Sequence, residues 1–160
     1  MRVLVVSDTH RRDDLFLQLL GKISPVDMVI HCGDIEGSEH VYSEAVKCEL
    51  HMVAGNNDFF SDLPFEDMFN IGKLKVFITH GHHYYISMGN SILKDEARMR
   101  GADIVMYGHT HKPVVEIEPG LIALNPGSLT YPRQEGRKPS YILMTVDEDG
   151  KADIQIKYVD

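Results

Sequence analysis

Five short segments of the chain place His, Asp and Asn side chains at the close spacing that metal ligands need. They are Ser7-Asp8-Thr9-His10, His31-Cys32-Gly33-Asp34, Gly55-Asn56-Asn57-Asp58, Thr79-His80-Gly81-His82 and Gly108-His109-Thr110-His111. Taken singly, most are ordinary: Gly33-Asp34 is a common turn pair, and an Asp-x-His sequence is often a turn or a cap. The pair His109 and His111 is the most informative. Taken together they favour a metal site, and mixed imidazole, carboxylate and amide ligands suit manganese, iron, zinc, nickel or cobalt.

Each of these segments follows a short apolar run that is typical of a buried strand. The predicted strands are Arg2–Val6, Val26–Ile30, Leu50–Val53, Lys75–Thr79 and Ile104–Tyr107. Helical spacing predicts a helix from Asp13 that ends before Pro25, and two more over Ser38–Cys48 and Ser91–Arg100. Such alternation of strands and helices predicts parallel sheets. Because parallel strands end at one edge of a sheet, the five segments are expected to meet at one rim.

The chain changes character after residue 113, where short strands are separated by turn signals. The predicted strands here are Val114–Ile117, Leu121–Leu124, Tyr141–Val146 and Ala152–Tyr158. No linker or internal repeat interrupts the sequence. We therefore predict a single domain over residues 1–160, folded as two packed sheets flanked by helices, a four-layer α/β/β/α sandwich. Gly33, Gly55, Gly81 and Gly108 are expected to allow sharp turns at the rim.

Composition limits the partners of the chain. It has 160 residues, 43% of them hydrophobic and 25% charged, which is typical of a folded soluble protein. No apolar run is long enough for a membrane helix, and no cleavage signal is visible, so a cytoplasmic location is expected. Cys32 and Cys48 are interpreted as reduced, buried side chains. The net charge of −8 argues against a nucleic acid polymer and against an anionic membrane surface.

The set of motifs resembles the calcineurin-like metallophosphoesterase superfamily. The resemblance rests on Asp8-x-His10, Gly33-Asp34, Gly55-Asn56-x-Asp58, Thr79-His80-Gly81 and Gly108-His109-Thr110-His111. The short length and the Asn125-Pro126-Gly127-Ser128 segment are similar to its small prokaryotic phosphodiesterases that lack a cap domain. The resemblance extends from Val3 to about Val146, and it implies the four-layer sandwich of the metallophosphoesterase type.

The resemblance also implies a ligand set for two divalent metal ions, with manganese first and iron, zinc, nickel or cobalt as alternatives. The first ion would bind Asp8, His10, Asp34 and His111. The second would bind Asp34, Asn56, His80 and His109, with Asp34 bridging. The positive charge of two dications exceeds the negative charge of the carboxylates of Asp8 and Asp34, so the pocket is positive although the protein as a whole is acidic. A small phosphate ester is then an expected substrate despite the net charge of −8.

The activity implied is hydrolysis of small phosphodiesters by a hydroxide that bridges the two metals. A phosphomonoesterase is the alternative within enzymes. A non-catalytic protein-interaction scaffold is the alternative outside them, because the retromer subunit resembles these proteins and works mainly by binding partners. That subunit has lost ligand positions, whereas this chain keeps all seven, which favours an enzyme. The sequence is compatible with a monomer or a homo-oligomer.

One position departs from the superfamily pattern. Many members carry His directly after the Asn ligand, where it can protonate the leaving alcohol, and this chain carries Asn57. An amide is not a general acid near neutral pH, although Asn57 can still hydrogen-bond a phosphate oxygen, and this is its expected catalytic role. The proton would then come from water, His82 or His83. The two histidines are better interpreted as residues that support the metal ligands or lie on the loop surface. Esters with good leaving groups are the expected preference.

Overall fold

Two five-stranded β-sheets form the centre of the molecule. The computed structural model describes all 160 residues. Its strands and α-helices, in chain order, are β1 (Arg2–Val6), α1 (Asp13–Ile23), β2 (Met28–His31), α2 (Glu39–Ala45), β3 (Glu49–Met52), β4 (Glu66–Ile71), β5 (Leu74–Thr79), α3 (Ser91–Met99), β6 (Ile104–Met106), β7 (Pro113–Glu118), β8 (Leu121–Pro126), β9 (Ser140–Val146) and β10 (Ala152–Tyr158). Two 3₁₀ turns, His82–Tyr84 and Ile86–Met88, lie between β5 and α3.

Both sheets are mixed. The first has the order β10-β9-β1-β2-β3, in which β1, β2 and β3 are parallel and β9 and β10 extend the sheet antiparallel. The second has the order β4-β5-β6-β8-β7, in which β5, β6 and β8 are parallel and antiparallel strands close both edges. The parallel strands are the ones predicted to carry the metal-type segments, so those segments do emerge from carboxyl ends.

The apolar side chains of the sheets divide the core into three layers. Val3 and Val5 of β1 face the second sheet and pack in one cluster with Val76 and Ile78 of β5. The alternate residues of β1 face the opposite way, toward α1 and α2. On the outer face of the second sheet, α3 packs against β5 and β6. Helices outside and two sheets inside make four layers, which confirms the predicted fold class.

The structure differs from the sequence prediction at a few elements. The strand Glu66–Ile71 was not predicted, because its acidic residues and half-buried positions follow no apolar alternation. Helix α2 ends at Ala45 rather than Cys48, since Val46 is extended and turns its side chain into the core. Cys32 is buried as expected, whereas Cys48 is only partly buried, and both thiols are free. None of the helices is long and apolar enough to cross a bilayer.

Candidate metal centre

The loops that carry the candidate ligands have an unusual backbone. Five of these residues adopt a left-handed conformation, with φ between 45° and 69°: Asp8, His10, Asp34, His109 and His111. Residues other than glycine rarely adopt such angles, and when they do the surrounding structure has to hold them there. Strain of this kind concentrates at functional sites, so the backbone identifies the same loops as the side chains do.

The glycines at the rim have two different structural roles. Gly33 and Gly81 have φ of 102° and therefore provide the expected sharp turns. Gly55 and Gly108 have ordinary backbone angles but no room for a side chain. A Cβ atom on Gly55 would lie 2.2 Å from Asp34 Oδ1, and one on Gly108 would lie 2.7 Å from an oxygen of Asp8. These two glycines let the backbone approach the buried carboxylates.

His80 and His111 are held in matching orientations. The Nδ1 of His80 donates to the carbonyl of Cys32 over 2.7 Å, and the Nδ1 of His111 donates to the carbonyl of Tyr131 over 2.7 Å. A histidine that binds a metal typically uses its second ring nitrogen in this way, which fixes the tautomer and the ring plane. The Nε2 atoms of both rings face the same cluster of carboxylate oxygens.

His10 completes a set of three such imidazoles. Its Nδ1 lies 3.2 Å from Oε2 of Glu36, and its Nε2 lies 3.3 Å from Nε2 of His111. Two ring nitrogens at this separation, with Asp8 beside them, can bind one metal ion. The arrangement therefore fits a metal ion between His10 and His111.

Asp8 lies at the centre of the cluster and is fully buried. Its Oδ2 accepts hydrogen bonds from Ser7 Oγ at 2.6 Å and from the backbone N–H of His109 at 3.1 Å. Its Oδ1 has no hydrogen-bond partner: His111 Nε2 is 3.1 Å away but not in hydrogen-bonding geometry, and His80 Nε2 is 3.8 Å away. A buried carboxylate oxygen without a partner is costly unless a cation binds it.

Asp34 is the second buried carboxylate, and Asn57 holds it. The backbone N–H and the side-chain amide of Asn57 each donate to Asp34 over 2.9 Å. Oδ2 of Asp34 also lies 3.4 Å from His80 Nε2 and 3.9 Å from His10 Nε2, which places it between two of the imidazoles. In this structure Asn57 therefore contacts a candidate ligand and fixes its position.

Asn56 and His109 lie on the open side of the cluster. The amide oxygen of Asn56 lies 2.9 Å from His109 Nδ1 and 3.0 Å from His80 Nε2. Asn56 is exposed and His109 is half-buried, so a ligand can reach the site from this side. The structure thus brings all seven residues together: Asp8, His10, Asp34, Asn56, His80, His109 and His111. Two groups of three have the spacing of a metal site, Asp8 with His10 and His111, and Asp8 with Asp34 and His80.

The charges of the cluster shift its pKa values strongly. Burial raises the pKa of Asp8 and of Asp34, but the neighbouring histidines outweigh burial, and both carboxyl groups have a pKa below their usual range. Burial lowers the pKa of His80, but Asp8 and Asp34 outweigh it and raise that pKa to about 9. Two buried carboxylates thus demand compensating cations, and divalent metals supply them by replacing protons on the ligands.

Asp58 organises the backbone beneath the site. Its carboxylate accepts hydrogen bonds from four backbone N–H groups, those of Asp34 (2.8 Å), Ile35 (3.0 Å), Glu36 (2.6 Å) and Gly55 (2.7 Å). The loops after β2 and β3 are therefore tied to one side chain. Asp58 belongs to the Gly55-Asn56-x-Asp58 motif, but its position two residues after Asn56 is the only sequence signal, and that position does not predict this role.

A buried polar network connects the loops after β1 and β2. Burial lowers the pKa of His31 to about 3, so this imidazole is neutral. Its Nδ1 accepts from the N–H of Gly33 at 3.1 Å, and its Nε2 donates to Thr9 Oγ1 at 2.9 Å. Tyr42 also donates to Thr9 Oγ1, at 2.8 Å. Thr9 lies between the candidate ligands Asp8 and His10 in the chain. By holding Thr9, His31 helps to position both of them, although it is not itself a candidate ligand.

His82 and His83 lie in the 3₁₀ turn after β5. The ring centroids of His82 and His80 are 5.4 Å apart, and Phe65 packs edge-on against His83 at 4.9 Å. Burial, with the nearby charge of His80 adding to it, lowers the pKa of His82 to about 4. Neither His82 nor His83 belongs to the two groups of three residues that have the spacing of a metal site.

The chemistry of these donors fits transition metals. Three imidazoles face two buried carboxylates, one carboxylate oxygen has no other partner, and an amide oxygen completes the open side. Imidazole together with carboxylate suits manganese, iron, zinc, nickel and cobalt. The fold and the cluster define an α/β sandwich with a candidate transition-metal centre at the carboxyl ends of its strands.

Comparison with known families identifies the class. Residues 1–149 match the model of the calcineurin-like phosphoesterase superfamily domain, and the chain belongs to this family. This confirms the resemblance, and it supports a hydrolase that uses divalent metals. The probable metallophosphoesterase YsnB of Bacillus subtilis is 35% identical over 152 residues, which cover 93% of this chain and 86% of YsnB. Phosphodiesterase MJ0936 of Methanocaldococcus jannaschii is 32% identical, over 79% of this chain and 83% of MJ0936.

Relatives with a different named role are also similar. The vacuolar protein sorting-associated protein 29 of Schizosaccharomyces pombe is 33% identical over 91% of this chain and 85% of that protein. Among solved structures, a predicted phosphoesterase of Streptococcus pneumoniae superposes with a TM-score of 0.81 at 26% identity, over 98% of this chain and 97% of the other. The family therefore includes relatives named for hydrolysis and relatives named for protein sorting.

Proposed function

We propose that this protein is a metal-dependent phosphodiesterase that acts on small phosphate esters. Two divalent ions, manganese first, would be held by Asp8, His10, Asp34, Asn56, His80, His109 and His111. The observation that carries the proposal is the orientation of three imidazoles. Each of His10, His80 and His111 has its Nδ1 against an oxygen acceptor and its Nε2 toward buried carboxylates.

The residues of the chain have separate roles in this proposal. When bound, two divalent ions supply Lewis acidity toward the phosphate and activate water for attack. Asp34, between His80 and His10, is the proposed bridging ligand, and Asn57 holds it in place. Asp58 and His31 fix the loops that present the ligands. The exposed Asn56 side is the proposed entrance for substrate.

A protein-interaction scaffold is the second candidate function, because one relative is named for protein sorting. The complete set of seven ligand-type residues in one cluster supports the enzyme instead. A phosphomonoesterase would use the same centre, and the phosphodiesterase name of MJ0936 favours the diester.

Hydrolysis of matched substrates tests the proposal. We expect the manganese-loaded protein to hydrolyse bis(4-nitrophenyl) phosphate with kcat/KM at least about 10-fold above that for 4-nitrophenyl phosphate. EDTA should abolish both activities, and added manganese should restore them. A preference for the monoester would show that the protein is a phosphomonoesterase instead. If no hydrolysis occurs with manganese, iron, zinc, nickel or cobalt, the protein-interaction scaffold becomes the favoured function.

A further inference from the structure

Each of the two sheets ends in strands that have a partner strand on one side only. These edge strands are β10 and β3 in the first sheet and β4 and β7 in the second. An edge strand presents unpaired N–H and C=O groups on which another strand can pair. Strands β3, β4 and β7 carry carboxylates but no Lys or Arg, so pairing with their own copies would bring like charges together. Strand β10 differs, because it carries both Asp153 and Lys157.

The register with β9 determines which backbone groups of β10 are free. The two strands are antiparallel, and the N–H of Asp147 donates to the carbonyl of Lys151 over 3.0 Å where the hairpin begins. In such a pair, residues that bond the neighbouring strand alternate with residues whose N–H and C=O point away from it. The backbone groups of Asp153, Gln155 and Lys157 therefore face β9. The residues whose groups point to the free edge are Ala152, Ile154, Ile156 and Tyr158.

A second copy of β10 can pair antiparallel with the first around Gln155 as the central residue. Ile154 then lies opposite Ile156 of the second copy, and Ala152 lies opposite Tyr158 of the second copy. These are the residues with free backbone groups, so each of them can exchange hydrogen bonds with its opposite residue. All seven residues of β10 are paired in this register, whereas any shift along the strand leaves both ends unpaired.

The same register brings opposite charges together. Asp153 lies opposite Lys157 of the second copy, and by symmetry Lys157 lies opposite Asp153 of that copy. Both side chains are exposed, and Asp153 accepts a hydrogen bond only from its neighbour Gln155, at 2.8 Å. Charges on edge strands commonly prevent self-pairing. Here they are opposite in sign and symmetric about Gln155, so they favour it.

The apolar side chains of β10 also fit this pairing. Ile154 and Ile156 pack against the core between the sheets and are only half-buried in one chain. Tyr158 is on the same face of the strand and is 47% exposed. It lies opposite Ala152 of the second copy, the smallest side chain of the strand, which leaves room for the ring. Pairing therefore covers apolar surface that one chain leaves accessible.

We propose that β10 is an interaction surface for a second copy of this chain, which pairs with it antiparallel around Gln155 and joins the two first sheets into one continuous sheet. A single pair of strands gives a small interface, so the dimer is weak and depends on protein concentration. The inference is independent of the proposed hydrolysis. Strand β10 holds none of the seven candidate ligands, so its pairing leaves metal content and turnover unchanged.

Charge reversal tests this pairing. Sedimentation velocity at protein concentrations up to about 1 mM measures the dimer Kd of the wild type. In Lys157→Asp both attractive pairs become repulsive, so the Kd should rise by at least about 10-fold. Adding Asp153→Lys to this variant exchanges the two charges, and the Kd should return to within about 3-fold of the wild type. Circular dichroism establishes that each variant is folded.

Lys47→Asp is the matched control. Lys47 is exposed and precedes β3, at the opposite edge of the same sheet, so this variant makes the same change in net charge and should keep the wild-type Kd. The proposal is overturned by a wild type that stays monomeric over the whole range or by a Lys157→Asp variant with the wild-type Kd. It is also overturned if the double variant dimerises no more tightly than Lys157→Asp, or if Lys47→Asp weakens the dimer equally.

Hydrogen exchange of the wild type gives a second test that needs no variant. The backbone amides of Ile154 and Ile156 point to the free edge, so they should exchange more slowly above the dimer Kd than below it. The amide of Gln155 already faces β9, and its exchange should not change with concentration. Equal exchange of the Ile154 and Ile156 amides at both concentrations would place the dimer contact elsewhere and overturn the proposal.

Discussion

Replacing Asp34 by Asn is expected to lower metal content from two ions to less than one per chain and to reduce phosphodiester hydrolysis by more than about 100-fold. Mutation of a residue that only hydrogen-bonds a metal ligand typically lowers metal affinity or activity by about 10- to 100-fold, and loss of a bridging ligand should exceed this. The amide keeps the size of the side chain but removes the charge that faces His80 and His10. Elemental analysis and kcat/KM, measured on the same preparation, check the expectation.

Asp153→Asn is the matched control, because Asp153 is an exposed carboxylate on β10, where it bonds only Gln155. It makes the same chemical change away from the site, and both metal content and turnover should stay at wild-type values. Circular dichroism of both variants establishes that each is folded. Wild-type turnover in a folded Asp34→Asn variant would refute the role of Asp34 as a bridging ligand.

The second large effect concerns the leaving group. Since Asn57 cannot donate a proton as an acid, the rate of diester hydrolysis should fall steeply as the pKa of the leaving alcohol rises. An Asn57→His variant should raise the rate for alkyl leaving groups by about 100-fold more than for 4-nitrophenolate, the lower range of general acid catalysis. A plot of log kcat/KM against leaving-group pKa measures both slopes.

Asn57→Ala separates the two consequences of this substitution. It removes the hydrogen bond to Asp34 without adding an acid, so its rates should be lower overall while its slope stays that of the wild type. A flat plot in the wild type would mean that another group supplies the proton or that bond cleavage is not the slow step. An Asn57→His slope equal to the wild-type slope would refute the missing-acid hypothesis.

The sequence predicted the fold because most of its core strands are short apolar runs, which are typical of strands buried on both faces. The apolar runs Arg2–Val6 and Ile104–Tyr107 predict buried strands. The polar segments that follow such parallel strands are then expected to meet at one rim. The side chains of Asp8 and His111, separated by about a hundred positions in the chain, lie 3.1 Å apart as this logic requires. Glu66–Ile71 is the one strand that the sequence did not predict, because polar and apolar residues are mixed in it without a run and most of them are only half-buried.

Finer features of the site were beyond sequence reasoning. The left-handed backbone at Asp8 and His10 depends on the loops that surround them, and residue type does not report it. The four N–H groups that converge on Asp58 come from two different loops, so only their packing reveals that role. The hydrogen bond from the side-chain amide of Asn57 to Asp34 is likewise visible only in the structure, and the expected contact of Asn57 with a phosphate oxygen stays a prediction. Which residues bind metal stays a prediction.

Metal stoichiometry tests the central claim most directly. The protein is freed of metal with a chelator, dialysed to equilibrium against manganese and then analysed for bound metal per chain. The ligand set of Asp8, His10, Asp34, Asn56, His80, His109 and His111 predicts two manganese ions per chain. One ion per chain would contradict the binuclear assignment, and a folded protein that takes up none would contradict the account of this site as a metal centre.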